Sequence, residues 1–236
     1  MSREQQPFHW TSDPTEARQE QLALRNRLVT TPLDLSGIQY ALAIGVSYSE
    51  RRSAAVAVAA TTLLSGQLLD PGEYYSATVE TDFPYIPGLF AYREGPAICA
   101  LLDSLPGLPP LVLFDAQGTA HPRGFGLAAH IGVLYDLPTM GLTRRPLFGK
   151  AEPPSEEDGA MTDVIDRRGR VLGTCVRLRA RCEPVYGSPG HRTDIAALAS
   201  LLGKISCFQS GYPKSLAFVH ETANKLARSR LKSRDQ

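Results

Sequence analysis

Two acidic residues stand where an α/β chain can bring carboxylates together. Glu94 lies at the expected start of a helix, and Asp115 closes a short apolar run, Leu111 to Phe114. Strand ends and helix starts converge on the open edge of an α/β sheet, where ligands bind. Such oxygen donors suit a hard cation, and magnesium takes one or two carboxylates together with phosphate oxygens. Residue types alone leave a second account open, in which Asp115 is a turn residue and Glu94 complements a helix dipole.

The segment Asp115 to Arg123 (DAQGTAHPR) adds polar groups to an apolar strand: Gln117, Gly118, His121 and Arg123. Gly118 permits close backbone approach, and Gln117, His121 and Arg123 can donate to an anion. Ser188, Gly190, His191 and Arg192 lie just before an expected helix, offering backbone N–H groups and basic side chains to a phosphate. Tyr85, Ile86, Pro87 and Gly88 form a proline-stiffened loop presenting an aromatic and an aliphatic side chain. A rigid apolar loop of this kind can wedge between bases and hold a duplex open. A loop tucked back onto the core has the same composition.

A framework of strands and helices carries these residues. Asp13-Pro14-Thr15-Glu16 starts a helix continuing through Ala17 to Leu28. Tyr40 to Tyr48, Ser53 to Leu63 and Glu73 to Glu80 are strands; the first two lack alternation, as expected when both faces are buried. The polar connection Ser49 to Arg52 predicts an antiparallel hairpin. A helix from Glu94 to about Leu105 is expected to carry Pro96 in its first turn, where the missing N–H costs nothing. Leu111 to Phe114, a helix over Gly126 to Leu134 and a strand over Pro138 to Leu142 make a βαβ unit. Met161 to Ile165 and Arg170 to Leu178 read as a hairpin, Thr193 to Leu202 as a helix capped by Thr193 or Asp194, and the tail from Ser215 as helical.

Composition bounds the rest. The 236 residues carry 43% hydrophobic and 21% charged side chains, as in one α/β domain with a real core. A formal charge of +1 gives no global attraction to nucleic acid, although a basic face remains compatible with it. The polar amino terminus and the lack of an 18-residue apolar run predict no signal peptide, no membrane span and a cytoplasmic protein. Cys99, Cys175, Cys182 and Cys207 are spaced like neither a disulfide framework nor a zinc site. The divisions expected are an arm and helix over residues 1–30, the main domain over 31–222, and a basic tail over 223–236 that ends with Lys225, Arg228, Arg230, Lys232 and Arg234.

The ordered segments PYIPG (84–88), REGPA (93–97), DAQGTAHPR (115–123), GLAAHIGV (126–133), DLPTMG (136–141) and SPGHR (188–192) resemble the endonuclease V family. The resemblance spans roughly residues 40 to 220 and implies an RNase H-like α/β fold with a central mixed sheet flanked by helices. It implies cleavage of DNA or RNA at the second phosphodiester 3′ of a deaminated purine, chiefly inosine, with Mg²⁺ or Mn²⁺. Glu94 and Asp115 then match metal-binding and catalytic acids, and Tyr85 to Gly88 the wedge. Gln117, Gly118, His121, Ser188, Gly190 and His191 fall with the substrate contacts, and Arg144 falls where the family has a lysine facing the scissile phosphate.

Two positions depart from that pattern. The family's first strand reads close to GVDVSY, and Gly45 in Ala43 to Tyr48 takes the place of its aspartate. Phe218 takes the place of a fourth acidic or histidine residue, with His220 expected to point roughly 200° away on the same helix. The resemblance with these departures predicts hydrolysis that is weakened or lost. The other outcomes are a binding protein without cleavage, and an enzyme reusing the pocket for a small molecule through Glu94, Asp115, His121, His191 and Cys175 or Cys182.

Overall fold

Tyr40–Ser49 (β1) and Ala54–Leu63 (β2) carry small apolar side chains on both sides, so each must be covered twice. The structure, a computed structural model, shows that arrangement and describes residues 8–49, 54–63, 74–205, 207 and 209–232. Ala41 and Ala43 face one apolar cluster while Leu42 and Ile44 face another. β1 and β2 pair antiparallel, with Ser49 opposite Ala54. The rest of the expected connection, with Ser53 and Glu73, lies outside the described residues.

One eight-stranded mixed sheet organises the chain, completed by Tyr74–Glu80 (β3), Val112–Phe114 (β4), Thr139–Thr143 (β5), Ala160–Ile165 (β6), Val171–Arg177 (β7) and Val185–Pro189 (β8). The order is β3-β2-β1-β4-β5-β8-β7-β6, with β1, β4 and β5 parallel and the remaining neighbours antiparallel. The parallel trio sits at the centre, where both faces are dry.

One face is covered by Ile195–Leu202 (α4) and Lys214–Lys232 (α5), which bury Leu198, Leu201, Leu216 and Val219. The other carries Phe90–Asp103 (α2) and Leu127–Tyr135 (α3), with Pro14–Arg25 (α1) packed on α3. Asp13 caps α1 by accepting from the N–H of Thr15 and Glu16, and Asp194 caps α4 through Ala197 N. This is the expected α/β architecture.

Four expectations change. α2 begins at Phe90, so Glu94 lies in its second turn, and Pro96 is interior and leaves the Tyr92 carbonyl without its helical donor. Val185–Pro189 is a strand, although its Gly and Pro read as loop signals. The division expected at residue 222 falls inside α5, where Ala223 and Ala227 are buried. Arg234 is outside the described residues, as are the side chains of Arg230 and Lys232. All four cysteines are free, and among the described residues no helix is long and apolar enough to cross a membrane.

Candidate active site

Asp115 leaves β4 beside β1, its backbone N–H donating to the Ile44 carbonyl at 3.1 Å. The Tyr212 hydroxyl donates to Asp115 Oδ1 at 2.7 Å, and His220 Nδ1 faces Oδ2 at 3.6 Å. The Arg144 guanidinium lies 3.7 Å above the centre of the Tyr212 ring. These groups, with Ala217 and Glu221, line a cavity of about 310 Å³. Burial pushes the Asp115 carboxyl above its ordinary range, opposed by Tyr212, His220 and Arg144.

Glu94 approaches from α2. Tyr48 donates its hydroxyl to Glu94 Oε1 at 2.5 Å, and Arg93 covers the Tyr48 ring at 4.4 Å. Burial, with the charge of Asp115 adding to it, raises the Glu94 carboxyl to about 7. Two carboxyl groups with raised proton affinity, each with one oxygen held by a tyrosine, are suited to sharing a cation.

Gly45 occupies the adjacent position on β1. A side chain begun there would meet Val219 Cγ2 at 3.0 Å, the His220 backbone nitrogen at 3.2 Å and the Val219 carbonyl carbon at 3.4 Å. The α5 backbone therefore lies where a carboxylate would leave β1. Among the described residues no group of three or more His, Cys, Asp or Glu side chains is placed to hold a metal ion. Glu94 and Asp115 lie close enough for the charge of one to act on the other, and two carboxylates are fewer than a two-ion clamp requires.

Phe218 is not the residue that α5 turns toward the carboxylates. Its ring packs toward Tyr74 on β3, with centroids 6.4 Å apart, whereas half-exposed His220 faces Asp115. The expected direction of His220 is corrected by the phase of α5. Leu216, Val219, Ala223 and Ala227 mark the buried stripe, and His220 flanks it on the site's side.

The loop Tyr85 to Gly88 projects beside α2. Tyr85 is 65% exposed with its ring 5.1 Å from that of Phe90, while Ile86 packs against the core. The chain turns at Gly88 with φ +84°, where a side chain is strained. The Gly88 carbonyl accepts from Gln21 Nε2 at 3.2 Å, Arg123 Nη2 at 2.7 Å and His121 Nε2 at 3.0 Å. His121 Nδ1 accepts from the Arg123 N–H, which assigns the proton to Nε2. Burial and the nearby Arg123 lower His121 to about 4. His121 and Arg123 thus hold the loop from behind, where they had been expected to donate to a substrate anion. Gln117 lines a narrow cleft with Gly88, Phe90 and Leu127.

The other expected substrate contacts also turn inward. Ser188 Oγ accepts from the Gly118 N–H at 2.9 Å, and any side chain on Gly118 would overlap the Pro189 carbonyl. Gly190 donates to the Thr139 carbonyl at 2.8 Å. His191 Nδ1 accepts from Val29 N–H at 3.2 Å, and Nε2 donates to Asp136 at 3.0 Å. Gly118, Ser188, Gly190 and His191 join β5, β8 and the loop after β4, and α4 starts too late to make them a phosphate-binding helix start. Residue types missed Tyr48 and Tyr212 altogether. Both are remote in sequence from the carboxylates they hold, and no spacing marks such a pair.

A mixed sheet with the parallel trio β1, β4, β5 at its centre, helices on both faces and acids gathered at one edge defines an RNase H-like fold. The family model for Endonuclease V matches residues 22–220. An endonuclease V of Gloeobacter violaceus is 35% identical over 226 residues, covering 94% of this chain and 89% of that protein. The crystal structure of the Streptomyces avermitilis endonuclease V superposes with a TM-score of 0.83 at 32% identity, covering 98% of each chain. An endonuclease V of Ciona intestinalis, in complex with a DNA containing an inosine followed by a ribo-adenosine, shares the fold at 22% identity, with a TM-score of 0.71 and coverage of 93% and 98%. The chain belongs to the endonuclease V family.

Proposed function

We propose that this chain is a divergent endonuclease V-type phosphodiesterase that binds DNA or RNA containing a deaminated purine and cleaves it slowly. The observation that carries the reading is that Glu94 and Asp115 stand within reach of each other's charge, with Arg144 over Tyr212 at the Asp115 cavity. The inosine-containing DNA bound by the Ciona relative supports the substrate class.

Arg144 is placed to hold the phosphate, and its planar fork favours two oxygens at once where a lysine would offer a point charge. Tyr48 fixes one oxygen of Glu94 and Tyr212 fixes Oδ1 of Asp115, so the second oxygen of Glu94 and Asp115 Oδ2, which His220 also faces, would be the ligands for Mg²⁺ or Mn²⁺. A divalent cation bound there supplies positive charge that polarises the phosphodiester. His220, facing Asp115, is the group able to carry a proton at the cavity wall. The loop Tyr85 to Gly88, braced by Gln21, His121 and Arg123, stands beside the extruded base. Loss of the β1 carboxylate removes several kcal/mol of transition-state stabilisation, hence on the order of 10³-fold in rate.

Incubation of a labelled inosine-containing oligonucleotide with Mn²⁺ tests this reading. Slow cleavage at the second phosphodiester 3′ of inosine, abolished in Glu94→Gln and Asp115→Asn, is the expected result. Salt-sensitive binding without cleavage would favour the binding protein instead, as does the lack of a third metal donor among the described residues. Neither binding nor cleavage would favour a small-molecule substrate in the Asp115 cavity.

A further inference from the structure

We infer that Trp10, in the segment before α1, is a positioning residue that sets where Glu94 sits; this rests on the reading of Glu94 as a site residue. Trp10 is the chain's single tryptophan. A side chain begun at Gly95 would come within 2.6 Å of its Cζ2 and 2.7 Å of its Cζ3. The indole therefore lies directly on the backbone of α2, at the residue adjoining Glu94. Any larger residue at 95 would displace one or the other.

The same ring fixes α2 against α3. Trp10 stacks on His130 with centroids 5.3 Å apart and planes at 28°, and meets Tyr92 edge-on at 5.7 Å. Phe8 meets both rings edge-on, Trp10 at 4.7 Å and His130 at 5.5 Å. His130 is fully buried, and neither of its ring nitrogens has a hydrogen-bond partner among the described residues, so its packing beside Trp10 is aromatic. Thr11 donates to Glu16 at 2.6 Å, and Asp13 caps α1 two residues later, so the indole hangs from a short, anchored path.

The consequence falls on Glu94. Its carboxylate must meet Tyr48 across from α2, and a 2.5 Å hydrogen bond tolerates little displacement. A helix turns about 100° per residue, so a small rotation about the α2 axis swings a side chain on an adjoining residue away from its partner. Removing the indole leaves a cavity on Gly95 that α2 relaxes into, because packed interiors collapse partway into voids.

The test uses the full chain and two low-field hydroxyl proton resonances, Tyr48 on Glu94 and Tyr212 on Asp115, assigned with Tyr48→Phe and Tyr212→Phe. Trp10→Ala is expected to lose the Tyr48 resonance and keep that of Tyr212, and Trp10→Phe to keep both. Gly95→Ala, which pushes the indole outward, is expected to repeat the selective loss and decides the matter if Trp10→Ala does not fold. Calorimetry with Mn²⁺ alone should show about tenfold weaker binding in Trp10→Ala. Retention of both resonances overturns the inference, and so does joint loss of both, which marks general loosening. If the unaltered chain binds no Mn²⁺, the one-cation reading fails and the proton resonances alone decide the role of Trp10.

Discussion

The backbone nitrogen of His220 lies 3.2 Å from the point at which a side chain on Gly45 would begin. That spacing is tighter than ordinary van der Waals contact, so α5 is seated on β1 in a way that glycine permits. The position matters twice, once for the ligand it lacks and once for the helix it admits.

Gly45→Asp should therefore lower stability in the absence of metal, by about 1–3 kcal/mol, as overpacking does. Mn²⁺ should restore more of the thermal midpoint in this variant than in the unaltered chain, because the new carboxylate adds a ligand. Thermal melts with and without millimolar Mn²⁺ check both parts. A Gly45→Asp protein as stable as the parent and indifferent to Mn²⁺ would show that α5 yields freely and the acid points elsewhere.

Glu94 makes the metal-free protein less stable at high pH. Its carboxyl is raised to about 7 in the folded chain from an ordinary 4.5, so the penalty is absent below about pH 4.5 and complete above about pH 7. Glu94→Gln should then be more stable than the parent at pH 8, by on the order of 2–3 kcal/mol, with the gap closing toward pH 4. Denaturant melts at the two pH values measure it. Saturating Mn²⁺ should reverse the order at pH 8.

His130 acts in the opposite sense. Burial lowers it to about 3 from 6.5, so its neutral form contributes stability that is complete above pH 6.5 and is lost as the pH falls toward 3. Between pH 7 and pH 5 that loss is about 2 kcal/mol. His130→Leu should remove that share of the acid sensitivity, leaving the part due to His121, whatever its effect at pH 7. Equal acid slopes in the two proteins would mean that His130 finds a partner when charged.

His121→Ala should loosen the Tyr85–Gly88 loop without touching the carboxylates, since it removes one of three donors on the Gly88 carbonyl. Binding of an inosine-containing oligonucleotide should weaken about tenfold, equivalent to about 1.4 kcal/mol, while Mn²⁺ affinity stays unchanged. A loss of Mn²⁺ binding instead would place His121 in the metal site.

The sheet and its helices were legible because β1 and β2 are apolar on both faces and α1 and α4 carry their own caps. β8 was not, because Gly187 and Pro189 are loop residues by propensity and tertiary pairing overrides that. Glu94 and Asp115 could be picked out by type and place. The backbone partners of His121, Ser188 and His191 were not legible for one physical reason: a polar side chain that satisfies a buried backbone group has the same composition as one that awaits a ligand. His220 was obscured because a helix's phase is set by its buried stripe, which only the packing of Leu216, Val219 and Ala223 reveals. Trp10 reaches Gly95 over a separation that no local pattern records.

The sharpest check is the number of cations that Glu94 and Asp115 hold beside Gly45. Anomalous diffraction from crystals soaked in Mn²⁺ should show one ion per chain, between the two carboxylates, and none in crystals of Glu94→Gln. Two ions at full occupancy beside Gly45, or none at all in the unaltered protein, would contradict a one-cation site.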